Sequence, residues 1–65
     1  MSGMTSKEFA RMRQRLHLSQ EALAAELGVS QQAVSHWELG RNPIPRSIEK
    51  LMYVLVATSN HRENQ

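Results

Sequence analysis

SQEALAAELGVSQQAVSHWELG, residues Ser19 to Gly40, holds two helix starts only eleven residues apart. Ser19 and Ser30 each read as an N-cap, because a serine hydroxyl accepts a backbone N–H that the first helical turn leaves without a partner. Between them, Leu23, Ala24 and Leu27 form the inner face of a short helix. Gly28 ends it, since glycine takes up the left-handed backbone of a C-terminal cap without a side-chain clash. After Ser30 a second helix runs to about Glu38. Its Ala33, Val34 and Trp37 share one arc, and Gln31, Gln32, Ser35 and His36 share the other. Gly40 stops it. Two short helices joined by three residues cannot lie fully side by side, so the glycine turn sets them at a steep angle, a helix-turn-helix. Ala24 is small enough for the closest approach, and Val29 plugs the corner.

The flanks agree with this centre. Thr5 and Glu8 have the spacing of a capping box, and Phe9, Met12 and Leu16 then recur as one apolar stripe. Lys7, Arg11 and Arg15 fall on the wet side, with Arg13 at the border. RNPIPR, from Arg41 to Arg46, is a loop that two prolines keep out of helix. A fourth helix is expected from about Arg46 to Ala57, with Ile48, Leu51, Met52 and Leu55 inward. The expected fold is all-α, a bundle of four short helices, or five, around a helix-turn-helix. Residues 1–4 read as a disordered N-terminus or cloning remnant, residues 5–57 as the domain, and residues 58–65 as a polar, frayed tail.

Composition excludes several classes of function. Sixty-five residues make one domain, which buries only about 60% of the surface its unfolded chain exposes. There is no cysteine, hence neither a disulfide nor a thiolate metal site. Histidines 17, 36 and 61 lack ligand spacing, so no metal, cofactor or catalytic residue is assigned. No apolar run approaches the ~18 residues of a membrane span, and MSGMTSKEFA has no secretory apolar stretch. The chain therefore reads as a cytoplasmic protein and not an enzyme. Eight Lys and Arg against six glutamates leave a net charge of only +2. General attraction to phosphate is weak at that charge, and the placement of each arginine matters more than their number.

Alone, Gln31, Gln32, Ser35 and His36 would be a solvated helix face. Behind a helix-turn-helix they gain a specific meaning. The major groove of double-stranded DNA admits one helix, and glutamine contacts adenine through two hydrogen bonds. Gln31 and Gln32 lie in the first turn, the part of such a helix that reaches base edges. Ser35 and His36 extend the same face. The helix start at Ser19 and Gln20 offers free N–H groups and partial positive charge to a phosphate. Arg41, Asn42 and Arg46, beyond the far end of the third helix, suit another. Trp37 lies on the Val34 side and reads as core.

These residues resemble the lambda-repressor-like family, the Cro and phage-repressor or XRE type of DNA-binding domain. The likeness covers about Phe9 to Leu55 and is carried by Leu18, Gln20, Leu23, Ala24, Leu27, Gly28, Val29, Val34, Trp37, Glu38 and Gly40. It implies that Gln20 meets phosphate, that Gln31, Gln32 and His36 face bases, and that Ser35 serves either. It also implies an Arg13–Glu38 ion pair and backbone contacts for Arg41 and Arg46. The family often carries a fifth helix, whereas four are read here.

Without a fifth helix, Tyr53, Val54 and Val56 would stay exposed on the fourth, and exposed apolar groups often mark an interface. They are expected to form a homodimer interface. The expected function is thus a dimeric regulator, a repressor rather than an activator, of phage, prophage, plasmid or bacterial origin. It would read a short pseudo-palindromic operator. The other readings are an antitoxin-like module whose partner is a toxin or another protein, and the DNA-binding part of a larger regulator.

Overall fold

The computed structural model describes residues 3–63, with side chains through residue 59. Four helices follow one another: α1 (Ser6–Arg15), α2 (Gln20–Leu27), α3 (Gln31–Glu38) and α4 (Arg46–Glu63). There is no strand among the described residues, and no helix among them is long and apolar enough to cross a membrane. α2 packs mainly on α3, while α1 lies against both α3 and α4.

Each of the first three helices starts on a hydroxyl. Thr5 Oγ1 accepts the Glu8 N–H at 3.1 Å while Glu8 Oε1 accepts the Thr5 N–H at 3.0 Å, a reciprocal capping box. Ser19 Oγ takes the Ala22 N–H and Ser30 Oγ the Ala33 N–H, at 3.0 and 3.1 Å. Each of the three also closes on a left-handed residue: His17 (φ 59°), Gly28 (φ 75°) and Gly40 (φ 76°). In all three cases the next N–H returns to the carbonyl five residues back, Leu18 to Arg13, Val29 to Ala24 and Arg41 to His36. This wrapping satisfies carbonyls that a helix end otherwise leaves bare. At His17 a residue with a Cβ holds that conformation, a strain that the sequence does not announce.

The core draws on every helix: Phe9 from α1, Leu23, Ala24 and Leu27 from α2, Val34 and Trp37 from α3, and Ile48 and Met52 from α4. The rings of Phe9 and Trp37 meet edge to face, with centroids 5.8 Å apart and planes at 69°. Such a contact is worth about 0.5–1.5 kcal/mol beyond the area it buries. Ala24 is 4% exposed, as the close approach of α2 and α3 requires, and Val29 packs at the corner.

Two boundaries and one burial differ from expectation. Residues 1–4 do not all lie outside the fold, for Met4 is buried in the core and its N–H donates to Glu49 Oε2 on α4 at 2.8 Å. Met1 and Ser2 lie outside the described residues. α4 does not end at Ala57 but runs on to Glu63, since nothing from Thr58 to Glu63 is a helix breaker. Asn64 and Gln65 of the expected tail, and the side chain of His61, lie outside the described residues. Leu51, expected inward, is 42% exposed. At ~100° per residue it sits some 60° to one side of Ile48, at the edge of the buried stripe.

Candidate nucleic-acid interface

The placement of α3 follows from its turn. Gly28 (φ 75°, ψ 31°) reverses the chain at the end of α2, and Ser30 restarts it in extended conformation (φ −80°, ψ 155°). Val34, fully buried, and Trp37, 8% exposed, then anchor the inner side of α3 on the core. With that side fixed, Gln31 and Gln32 are exposed, while Ser35 and His36 are half-buried along the same outer surface. At ~100° per residue these four span an arc of about 140°. The amides of Gln31 and Gln32 stand at the N-terminal end of α3, where the helix dipole is positive.

A part-buried polar cluster locks the other end. The Arg13 guanidinium donates Nε to Glu38 Oε2 at 2.6 Å, Nη2 to Glu38 Oε1 at 3.2 Å and Nη1 to the Leu18 carbonyl at 3.0 Å. Gln20 Nε2 donates to Glu38 Oε1 at 3.0 Å. The Glu38 carboxylate at the end of α3 thereby joins α1 to the start of α2, and Arg13 ties in the α1–α2 link. The Arg13 and Glu38 side chains are only 18% and 9% exposed, which removes the pair from the class of surface ion pairs worth ~0–1 kcal/mol. Hydrogen bonding to Glu38 raises the Arg13 pKa, with desolvation opposing and the charge of Glu38 adding to the rise. The guanidinium stays charged at any ordinary pH.

The structure thus brings Arg13 and Glu38 together and adds Gln20 and the Leu18 carbonyl to them, contacts that sequence reasoning did not supply. An amide nitrogen carries two hydrogens, so Gln20 retains one donor beyond its bond to Glu38. Ser19 is exposed at its cap, and Arg41, Asn42 and Arg46 are exposed around the loop after α3. Arg41 and Asn42 line a hollow together with Ser6 and Trp37, which sets them between the end of α3 and the start of α1. Tyr53 and Val54 on α4 are 53% and 58% exposed, whereas Val56 is half-buried. Leu51 and Val54, three residues apart on that helix, expose a common apolar side. One large side chain on α3 escaped sequence reasoning altogether: Leu39, at the C-cap, is 64% exposed.

No group of three or more metal-ligating side chains occurs among the described residues. Comparison with curated proteins and with solved structures gave no match. A model of the helix-turn-helix family, however, matches residues 9–52. That span, about two thirds of the chain, begins at the core residue Phe9, ends at the core residue Met52, and takes in all of α2, the Gly28 turn and α3. On that match and this geometry, the chain belongs to the Cro/C1-type helix-turn-helix family, the XRE kind of DNA-binding transcription regulator.

Proposed function

We propose that the chain is a sequence-specific repressor of the phage, plasmid or bacterial type, acting as a homodimer on double-stranded DNA inside the cell. Gln31, Gln32, Ser35 and His36 read base edges in the major groove. Ser19, Gln20, Arg41, Asn42 and Arg46 hold the phosphates on either side. The observation that carries this reading is the outward amide pair at the start of α3, backed by Val34 and Trp37 on the buried side. A net charge of +2 is too small for indiscriminate phosphate binding to dominate, which favours a reading in which base contacts carry the selectivity.

Dimerisation rests on α4. Leu51, Tyr53 and Val54 are exposed apolar groups on this helix, and Val56 lies on its flank. Two copies joined there would set their α3 helices for half-sites about one DNA turn, ~34 Å, apart.

Selection of bound duplexes from a random pool, with sedimentation of the free protein, tests both parts. An enriched palindromic site and a concentration-dependent dimer are expected. Absence of any enriched sequence would defeat the base-reading arc. A monomer at all concentrations would assign the α4 face to a different chain, as in an antitoxin-like module.

A further inference from the structure

Leu39 is the most exposed of the large hydrophobic side chains described, at 64%, yet it lies among polar neighbours at the end of α3. Its backbone (φ −82°, ψ −7°) continues the helix, and its N–H still bonds to the Ser35 carbonyl at 3.0 Å. Helical geometry therefore fixes where it points. With Gln31 at 0°, Ser35 falls at about 40°, Leu39 at about 80°, Gln32 at about 100° and His36 at about 140°. The leucine occupies the middle of the outward arc, not its edge, and it is not packed against the core.

We infer that Leu39 is a specificity-determining residue that reads the 5-methyl group of a thymine. The inference rests on the reading of this arc as the base-contacting face and assigns it one more member. The sides of a helix beyond such an arc meet the sugar–phosphate walls of the major groove, while the arc itself, Leu39 within it, faces the base edges of the floor. On that floor the thymine methyl is the apolar feature that distinguishes one base pair from the others. A leucine has no donor or acceptor to offer there, and only a methyl compensates for the water it displaces. From Gln31 to Leu39 the helix advances about 12 Å, and it runs oblique to the duplex axis. The thymine contacted by Leu39 therefore lies about two or three pairs from the base contacted by Gln31.

The test uses the duplex enriched by selection. Each thymine is replaced singly by deoxyuridine, which removes the methyl and leaves every hydrogen-bonding group. The wild-type protein is expected to lose about fourfold in affinity at one position per half-site, the value of burying one methyl-sized group. In Leu39→Ala that position should become insensitive while the others keep their wild-type response. Leu39→Met should retain the sensitivity. Circular dichroism of the exposed-site variants serves to show that the fold is kept. The inference is overturned if Leu39→Ala responds to every deoxyuridine as the wild type does, or if no thymine in the site is sensitive. Failure to enrich any duplex would bring down the arc itself and this assignment with it.

Discussion

His17 offers the sharpest test of how the helix ends are built. It carries a Cβ at φ 59° and is exposed, so its side chain contributes little packing. Holding a non-glycine residue in the left-handed region costs about 1–2 kcal/mol. Glycine there gives back about 0.5–1 kcal/mol through its greater freedom in the unfolded chain. His17→Gly should therefore stabilise the domain by about 0.5–1 kcal/mol. A domain of this size gains about 4–8 °C in Tm per kcal/mol, so thermal unfolding followed by circular dichroism should shift upward by about 2–8 °C. Gly28→Ala is the reciprocal change. An added Cβ at Gly28 meets nothing within 4 Å, so the backbone alone sets the cost, and Tm should fall by a similar amount. His17→Ala, which keeps the Cβ, should leave Tm nearly unchanged. A fall in Tm for His17→Gly, or no change for Gly28→Ala, would refute the account of left-handed closure.

Trp37→Ala removes a core aromatic and its contact with Phe9, a loss of about 3–5 kcal/mol. Native domains of this length have about 3–10 kcal/mol in total, so the variant should lose a third or more of its stability, read as a fall in Tm of at least about 10 °C; an unchanged Tm would place Trp37 outside the core. A double-mutant cycle of Arg13→Ala and Glu38→Ala in urea should return a coupling of about 1–3 kcal/mol; a value near zero would place the pair among ordinary surface charges. Arg46→Ala should weaken binding to all duplexes alike and reduce the salt slope by about one phosphate contact, whereas a selective loss at one operator position would make it a base reader.

The centre of the fold was legible because its devices are local. A serine cap, a glycine at a turn and a 3.6-residue apolar period act over a few neighbouring residues, and Ser30, Gly28 and the Val34–Trp37 pair stand where those rules put them. What escaped depends on contacts distant in sequence. Met4 enters the core where Glu49, 45 residues away, accepts its N–H. Leu51 fits the α4 stripe by spacing, but whether it is covered depends on the reach of the other helices. His17 closes α1 without the glycine that would have signalled it. Gln20 joins Glu38 only once α2 and α3 have crossed. Leu39, between the end of the periodic segment and the Gly40 stop, belonged to neither helix nor loop in the pattern, so its place in the arc emerged only from its helical backbone.

The most direct trial of the α3 assignment compares the affinity for the selected duplex with that for random duplex, in the wild type and in Gln31→Ala/Gln32→Ala. Both side chains are exposed, so the helical spectrum should stay intact. A good bidentate contact is worth about 1–3 kcal/mol of discrimination; each substitution should cut the preference by roughly 5- to 150-fold while salt-dependent binding to random DNA persists. An undiminished preference in a folded double variant would mean that another surface reads the sequence.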